Sequence, residues 1–199
     1  MPSTSASYAK LQGKVIPLAP IQLNKSVIQD LTWFTHCISN SAGVNFLEVH
    51  HWDEGDAEIS LWTNASNIGL AFWSPEVESA FVESIKDSNV HYGNIFFNKA
   101  LAVISAIDWA AHLPDKPWHI LIHTNSMNTV DIFHLLMANL NYILLLFKVV
   151  EIMMDFGVDI QVVHILDTEN ALADALSCLL FQVANTLHPG LNITIFQPP

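Results

Sequence analysis

Residues 58–73 read Glu-Ile-Ser-Leu-Trp-Thr-Asn-Ala-Ser-Asn-Ile-Gly-Leu-Ala-Phe-Trp. Two short runs rich in Ile, Leu, Phe and Trp, 58–63 and 68–73, flank the turn-forming cluster Asn64-Ala65-Ser66-Asn67. That pattern predicts a pair of strands joined by a turn. A third strand is expected around 80–83. Beyond it, apolar residues at 97, 100, 101, 104, 107 and 111 fall on one helical face and predict a helix over 96–112, ended by Pro114. The run 118–123 reads as a buried strand, 127–137 and 141–156 as helices with Gly157 as the stop, and 158–165 as an alternating strand. The segment 168–186 reads as a last helix closed by Pro189 and Gly190. Toward the N-terminus, Val27, Ile28, Leu31, Phe34 and Ile38 recur at helical spacing behind a capping Ser26 and predict an amphipathic helix over 26–41. A short apolar piece, 44–49, and a polar connector, 50–56, link it to the strands. Residues 1–24 mix Ser, Pro and Gly without periodicity and read as a tail. Strands followed by alternating helices and strands predict an α/β sheet whose later strands are joined by helical crossovers.

The chain has 199 residues, enough for one sizeable core; 51% are hydrophobic and only 13% charged, which excludes the disordered class. The stretch 142–150 is interrupted by Lys148 and falls far short of the ~20 residues of a membrane span. The polar N-terminus lacks a basic region followed by an apolar core, so no membrane association and an intracellular address, cytoplasmic or nuclear, are expected. Cys37 and Cys178 are too few for a disulfide framework or a cysteine zinc site. The formal net charge is -12, and the 7 basic residues are all lysines. Arginine's planar fork is the usual grip on phosphate, and its absence predicts no tight nucleic-acid binding.

Several blocks occur in a telling order: Trp62-Thr63-Asn64-Ala65-Ser66 with Gly69, the run 95–103, His123-Thr124-Asn125-Ser126 through Val130, His164, and Asn170-Ala171-Leu172-Ala173-Asp174-Ala175-Leu176-Ser177. Together they resemble the ribonuclease H-like domain that follows the reverse transcriptase in fungal retrotransposon polyproteins. Asp30-Leu31-Thr32-Trp33-Phe34 resembles the connector helix of such polyproteins, and Phe196-Gln197-Pro198-Pro199 the segment after the domain. The resemblance implies a mixed five-stranded sheet with flanking helices, and a tail (1–25), a connector helix and linker (26–57), the RNase H-like domain (58–187) and a C-terminal tail (188–199).

The family uses four carboxylates to hold two metal ions about 4 Å apart, Mg²⁺ or Mn²⁺, for phosphodiester cleavage. The resemblance places those positions at Asn64, Lys99 (or, with a one-residue slip, Asn98), Asn125 and Asp174. One carboxylate remains, so the implied activity, hydrolysis of RNA in RNA–DNA hybrids, is expected to be lost, with no metal cofactor and at most a weak, vacant metal position at Asp174. His164 matches the family's proton-handling histidine. Lys99 also lies in the first turns of its helix, where the macrodipole favours an anion. Aspartate to asparagine and glutamate to lysine are each one G-to-A change, and zero arginines beside 10 histidines fit the same decay.

Taken singly, each feature has a plainer reading. Asn64 and Asn125 suit strand ends, Asp174 a solvated helix face, and His164 a strand terminus. The cluster His50-His51-Trp52-Asp53-Glu54 lacks the His-x-x-x-His spacing of a helical metal site and reads as a solvated acidic connector. No Gly-rich phosphate loop is present, and Asn-x-Ser/Thr triplets at Asn24, Asn64 and Asn192 read as coincidence. Trp62, Trp73, Trp109 and Trp118 read as core. Two alternatives of other classes stand beside the inactive-domain reading. One is a protein-interaction or dimerisation module on the same scaffold, motivated by the apolar composition. The other is residual hybrid binding or weak metal-dependent cleavage through Asp174, His164 and nearby acids such as Asp131.

Overall fold

The computed structural model describes residues 23–40, 52–85, 94–135 and 142–199. The chain divides into two compact units, 1–40 and 41–199. In the first, helix α1 spans Lys25–Asn40. Asn24, two residues ahead of the expected Ser26, supplies the cap, its Oδ1 accepting from the Val27 N–H at 2.8 Å. Ile28, Leu31, Phe34 and Ile38 form an exposed apolar stripe along it. The expected apolar piece 44–49 lies outside the described residues, as do His50 and His51.

The second unit is built on a six-stranded mixed sheet in the order β5-β4-β1-β2-β3-β6. Its elements are β1 (Ile59–Ala65), β2 (Gly69–Ser74), β3 (Ser79–Ser84), α2 (Ile95–Ala111), β4 (His119–Thr124), α3 (Met127–Leu135), α4 (Ile143–Phe156), β5 (Asp159–His164), α5 (Ala171–Ser177), α6 (Phe181–Leu187) and β6 (Asn192–Ile195). The predicted hairpin is present, with Trp62 opposite Trp73 and Asn64 opposite Ala71 in antiparallel register. Asn64 and Ala65, expected in the turn, extend β1 instead. β1 pairs parallel with β4, and β4 parallel with β5.

One face of the sheet carries the main core. Ile59, Leu61, Leu70, Phe72, Ile120, Ile122 and Val162 pack against α2 and α4 through Leu101, Ile104, Ile107, Leu146, Val149 and Ile152. α2 is buried on more than the single face its periodicity predicts: Ala102, Val103, Ser105 and Ala106 are buried too, in a helix that packs against α4 as well as against the sheet. Asn94 caps α2 by accepting from the Phe97 N–H. Gly157, at φ +68°, ends α4 in the left-handed cap its sequence predicts. On the opposite face a smaller cluster joins Ala71, Ala80 and Val82 to Leu172, Ala175 and Leu176 of α5 and Ala184 of α6.

Four expectations are corrected. The last helix is not continuous over 168–186: a 3-10 turn spans Asp167–Asn170, α5 ends at Ser177, and α6 starts at Phe181. The break is a Schellman-type stop, with Leu180 N–H bonded to Ala175 O, Leu179 N–H to Leu176 O, and Leu179 itself at φ +58°. A leucine tolerates this because its side chain packs on the small cluster. Residues 192–195, expected in a C-terminal tail, form a sixth strand parallel to β3, and Phe196 meets Phe72 edge-on at 5.0 Å. Trp118 precedes β4 and is 61% exposed. Trp52, expected in a solvated connector, is buried: it stacks on His119 at 4.8 Å, and its indole N–H donates to Asp159. The acids Asp53, Glu54 and Asp56 around it are exposed, as expected. Among the described residues no helix is long and apolar enough to cross a membrane.

α5 lies so close to the hairpin that a Cβ at Gly69 would stand 2.6 Å from the Ser177 carbonyl oxygen, a backbone atom with little room to yield. Gly69→Ala is expected to cost about 1–3 kcal/mol in urea unfolding. Gly55→Ala, with nothing within 4 Å, is the control and is expected to stay within about 0.5 kcal/mol of the parent.

Candidate functional site

β1 and β4 run parallel, with Thr63 level with Thr124. Their next residues, Asn64 and Asn125, therefore emerge side by side at the carboxyl edge of the sheet, where parallel sheets commonly present their ligand-binding groups. α2 brings Lys99 to this edge from the core face, and α5 brings Asp174 from the other. Four positions distant in sequence converge.

The contacts are specific. The Asn64 Nδ2 donates to Asp174 Oδ1 at 2.9 Å. Because the carboxylate oxygen accepts, the amide nitrogen must face it, and Asn64 Oδ1 is left buried with no hydrogen-bond partner among the described residues. Lys99 Nζ donates to Asn125 Oδ1 at 2.8 Å, and Asn125 Nδ2 donates to Asp167 Oδ1 at 2.8 Å. The Asn125 amide thus bridges an ammonium and a carboxylate, offering its oxygen to one and its nitrogen to the other. An aspartate there could serve only the cation. Burial lowers the Lys99 pKa from its ordinary value, while the charges of Asp167 and Asp174 pull it back up.

Asp174 owes its position to its own helix. Asn170, one turn earlier, is buried, and its Nδ2 donates to the Thr63 carbonyl at 3.0 Å. One turn later, Ser66 Oγ donates to the Ser177 carbonyl at 2.7 Å. Asn170, Asp174 and Ser177, spaced by four and three residues, share the face that grips β1 and the hairpin turn. Asn98, the alternative to Lys99, is buried, with its Oδ1 unpartnered among the described residues; Lys99 is the one that bonds Asn125.

Two expected participants stand apart. His164 ends β5 level with Thr124 but is exposed, and among the described residues no hydrogen bond joins it to Asp174. Asp131 is exposed on α3. The residue that sequence reasoning missed is Asp167. Its only signal was its place three residues after His164, in the turn ahead of α5, and nothing in local pattern ties such an acid to Asn125.

Beside the cluster, on the α5 face, His123 stacks on Trp62 at 4.2 Å, and Trp62 meets Trp73 at 5.2 Å. Burial lowers the His123 pKa below 6.5, opposed by Glu54, Glu76 and Glu169.

No family model and no curated protein matches the chain. Among solved structures, RNase H1 from the halophilic archaeon Halobacterium salinarum NRC-1 is similar over 62% of this chain and 97% of its own, at 12% identity and a TM-score of 0.48. LC11-RNase H1, solved in complex with an RNA/DNA hybrid, is similar over 60% of this chain and 93% of its own, at 17% identity and a TM-score of 0.50. The second likeness gives the fold, which is RNase H-like: a mixed sheet, here six-stranded, with flanking helices.

A histidine with a depressed pKa binds its proton more weakly folded than unfolded. His123 therefore adds no penalty above about pH 6.5, and stability falls as the pH drops from there through its folded value. Urea midpoints are expected to decline over this window in the parent and to decline less in His123→Phe, which keeps a ring against Trp62.

Proposed function

We propose that this chain is a degenerate, retrotransposon-derived RNase H-like domain that no longer cleaves RNA–DNA hybrids. The observation that carries the reading is the 2.8 Å hydrogen bond from Lys99 Nζ to Asn125 Oδ1. Two-metal phosphodiester cleavage needs carboxylate oxygens that neutralise two hard dications. At the positions the resemblance assigns to them stand Asn64, Lys99, Asn125 and Asp174, whose single negative charge is matched by one positive charge. An ammonium group lies where the metals would need an anion. The residues present do not fit a pair of divalent cations, so no metal cofactor belongs to this reading. Asp174 and His164 are remnants of the catalytic set.

The missing arginines and the net charge of -12 support the absence of tight nucleic-acid binding. The ancestry rests on the ordered sequence blocks and on the G-to-A pattern of the replaced acids. An intact neighbouring gene copy should differ from this one mainly by such transitions. The address that goes with the reading is intracellular, cytoplasmic or nuclear.

A second reading, a module for a protein partner or a homodimer, is favoured by the exposed stripe Ile28, Leu31, Phe34 and Ile38 on α1. Size-exclusion chromatography with light scattering addresses the homodimer. A parent that runs as a dimer and becomes a monomer on Leu31→Glu and Phe34→Glu supports it, and a monomeric parent removes it.

The first reading is tested by cleavage of a labelled RNA–DNA hybrid with Mg²⁺ and with Mn²⁺. The parent is expected to be silent with either metal. The triple reversion Asn64→Asp, Lys99→Glu, Asn125→Asp is expected to cut on the order of 100-fold or more above the parent's background. Metal-dependent cleavage by the parent would overturn the reading and favour residual nuclease activity.

A further inference from the structure

We infer that Lys99 is the resident cation of an oxygen-lined site, and that this one lysine keeps a divalent metal ion out of a site that would otherwise accept one. Three elements and a turn contribute: Asn64 from β1, Asn125 after β4, Asp167 from the turn before α5, and Asp174 from α5. Amide and carboxylate oxygens are the donors that Mg²⁺, Mn²⁺ and Ca²⁺ take.

Two features set the site apart from an ordinary surface cluster of acids. Asn64 is 3% exposed, and its Oδ1 has no hydrogen-bond partner among the described residues, an arrangement costly for a buried acceptor. Asn125 Oδ1 already binds a cation, the Lys99 ammonium, at 2.8 Å. Each acid meets an asparagine amide through Oδ1 and retains a second oxygen. Burial lowers the Lys99 pKa and the charges of Asp167 and Asp174 oppose that shift in part; an ammonium group placed against Asn125 Oδ1 repels a dication there. The net effect is a metal site with its cation built in covalently. It asks of the solvent neither an ion nor a change of shape.

The inference deepens the inactive-domain reading, but it stands on the hydrogen-bond geometry rather than on ancestry. Its test is direct Mn²⁺ binding, measured by electron paramagnetic resonance of the free ion together with thermal unfolding. The full chain is compared with Lys99→Gln and Lys99→Met, each with and without Asp174→Asn. The parent is expected to show no Mn²⁺ binding that depends on Asp174. Either Lys99 variant is expected to gain one site, tighter than the parent's background on the order of 100-fold. Mn²⁺ is expected to raise the variant's unfolding temperature, and both effects should vanish on Asp174→Asn.

Using two Lys99 variants guards against one failing to fold. If both unfold and Mn²⁺ does not restore them, the inference fails, because the emptied oxygens should take the ion. An Asp174-dependent site in the parent equal to that of the variants overturns it, as does a folded variant that binds no Mn²⁺. The outcome is separable from the cleavage test. A triple reversion that cuts while Lys99→Gln takes no Mn²⁺ keeps the ancestry and sinks the resident cation. Mn²⁺ binding by Lys99→Gln with a silent reversion does the reverse.

Discussion

The closeness of α5 to the β1–β2 hairpin sets the rest of the carboxyl edge. Asn170 donates to the Thr63 carbonyl, Ser66 donates to the Ser177 carbonyl, and Gly69 leaves out the Cβ that would collide with Ser177. Three contacts, spaced along two helical turns, leave α5 little freedom to slide or rotate. Asp174 sits between the first and last of them and is thereby aimed at Asn64. The unusual stop after Ser177 follows from the same constraint. Leu179 accepts a left-handed backbone because its side chain helps close the small cluster over β2 and β3.

Around that clamp the charge arrangement is self-consistent although it runs against helix electrostatics. Lys99 lies near the N-terminus of α2, where the macrodipole disfavours a cation, and it is partly buried. Two carboxylates from the far side of the sheet edge compensate, one of them through the Asn125 amide. The asparagines are more than uncharged versions of aspartate in this setting. Asn64 must donate to reach Asp174 without repelling it, and Asn125 must both donate and accept. The pattern works as a set: an acid at either asparagine would break a bridge.

Much of the fold was legible because local rules and tertiary structure agree. Ser66 and Asn67 mark a turn between two apolar runs, α2 and α4 carry strong helical periodicity, and Gly157 stops α4 as its position predicts. The misreadings share a cause, which is that long-range contacts decided them. β6 is a four-residue strand just beyond a Pro-Gly pair, too short to announce itself, and it is a strand because β3 offers a free edge and Phe196 reaches Phe72. Trp52 reads as part of a polar connector and is buried because β4 and β5 supply His119 and Asp159 as partners. Trp118 has the opposite fate, exposed although its neighbours form a core strand.

By itself the sequence determined the α/β class, the hairpin, the helices α2 and α4 and the missing arginines. These follow from composition, periodicity and the order of short blocks, all of which are local properties. Only the tertiary structure joined Lys99 to Asn125, brought Asp167 to the same amide, and left Asn64 Oδ1 buried without a partner among the described residues. Such facts depend on the parallel register of β1 with β4 and on the clamp that holds α5. Both are contacts between residues far apart in the chain, where local pattern carries no signal.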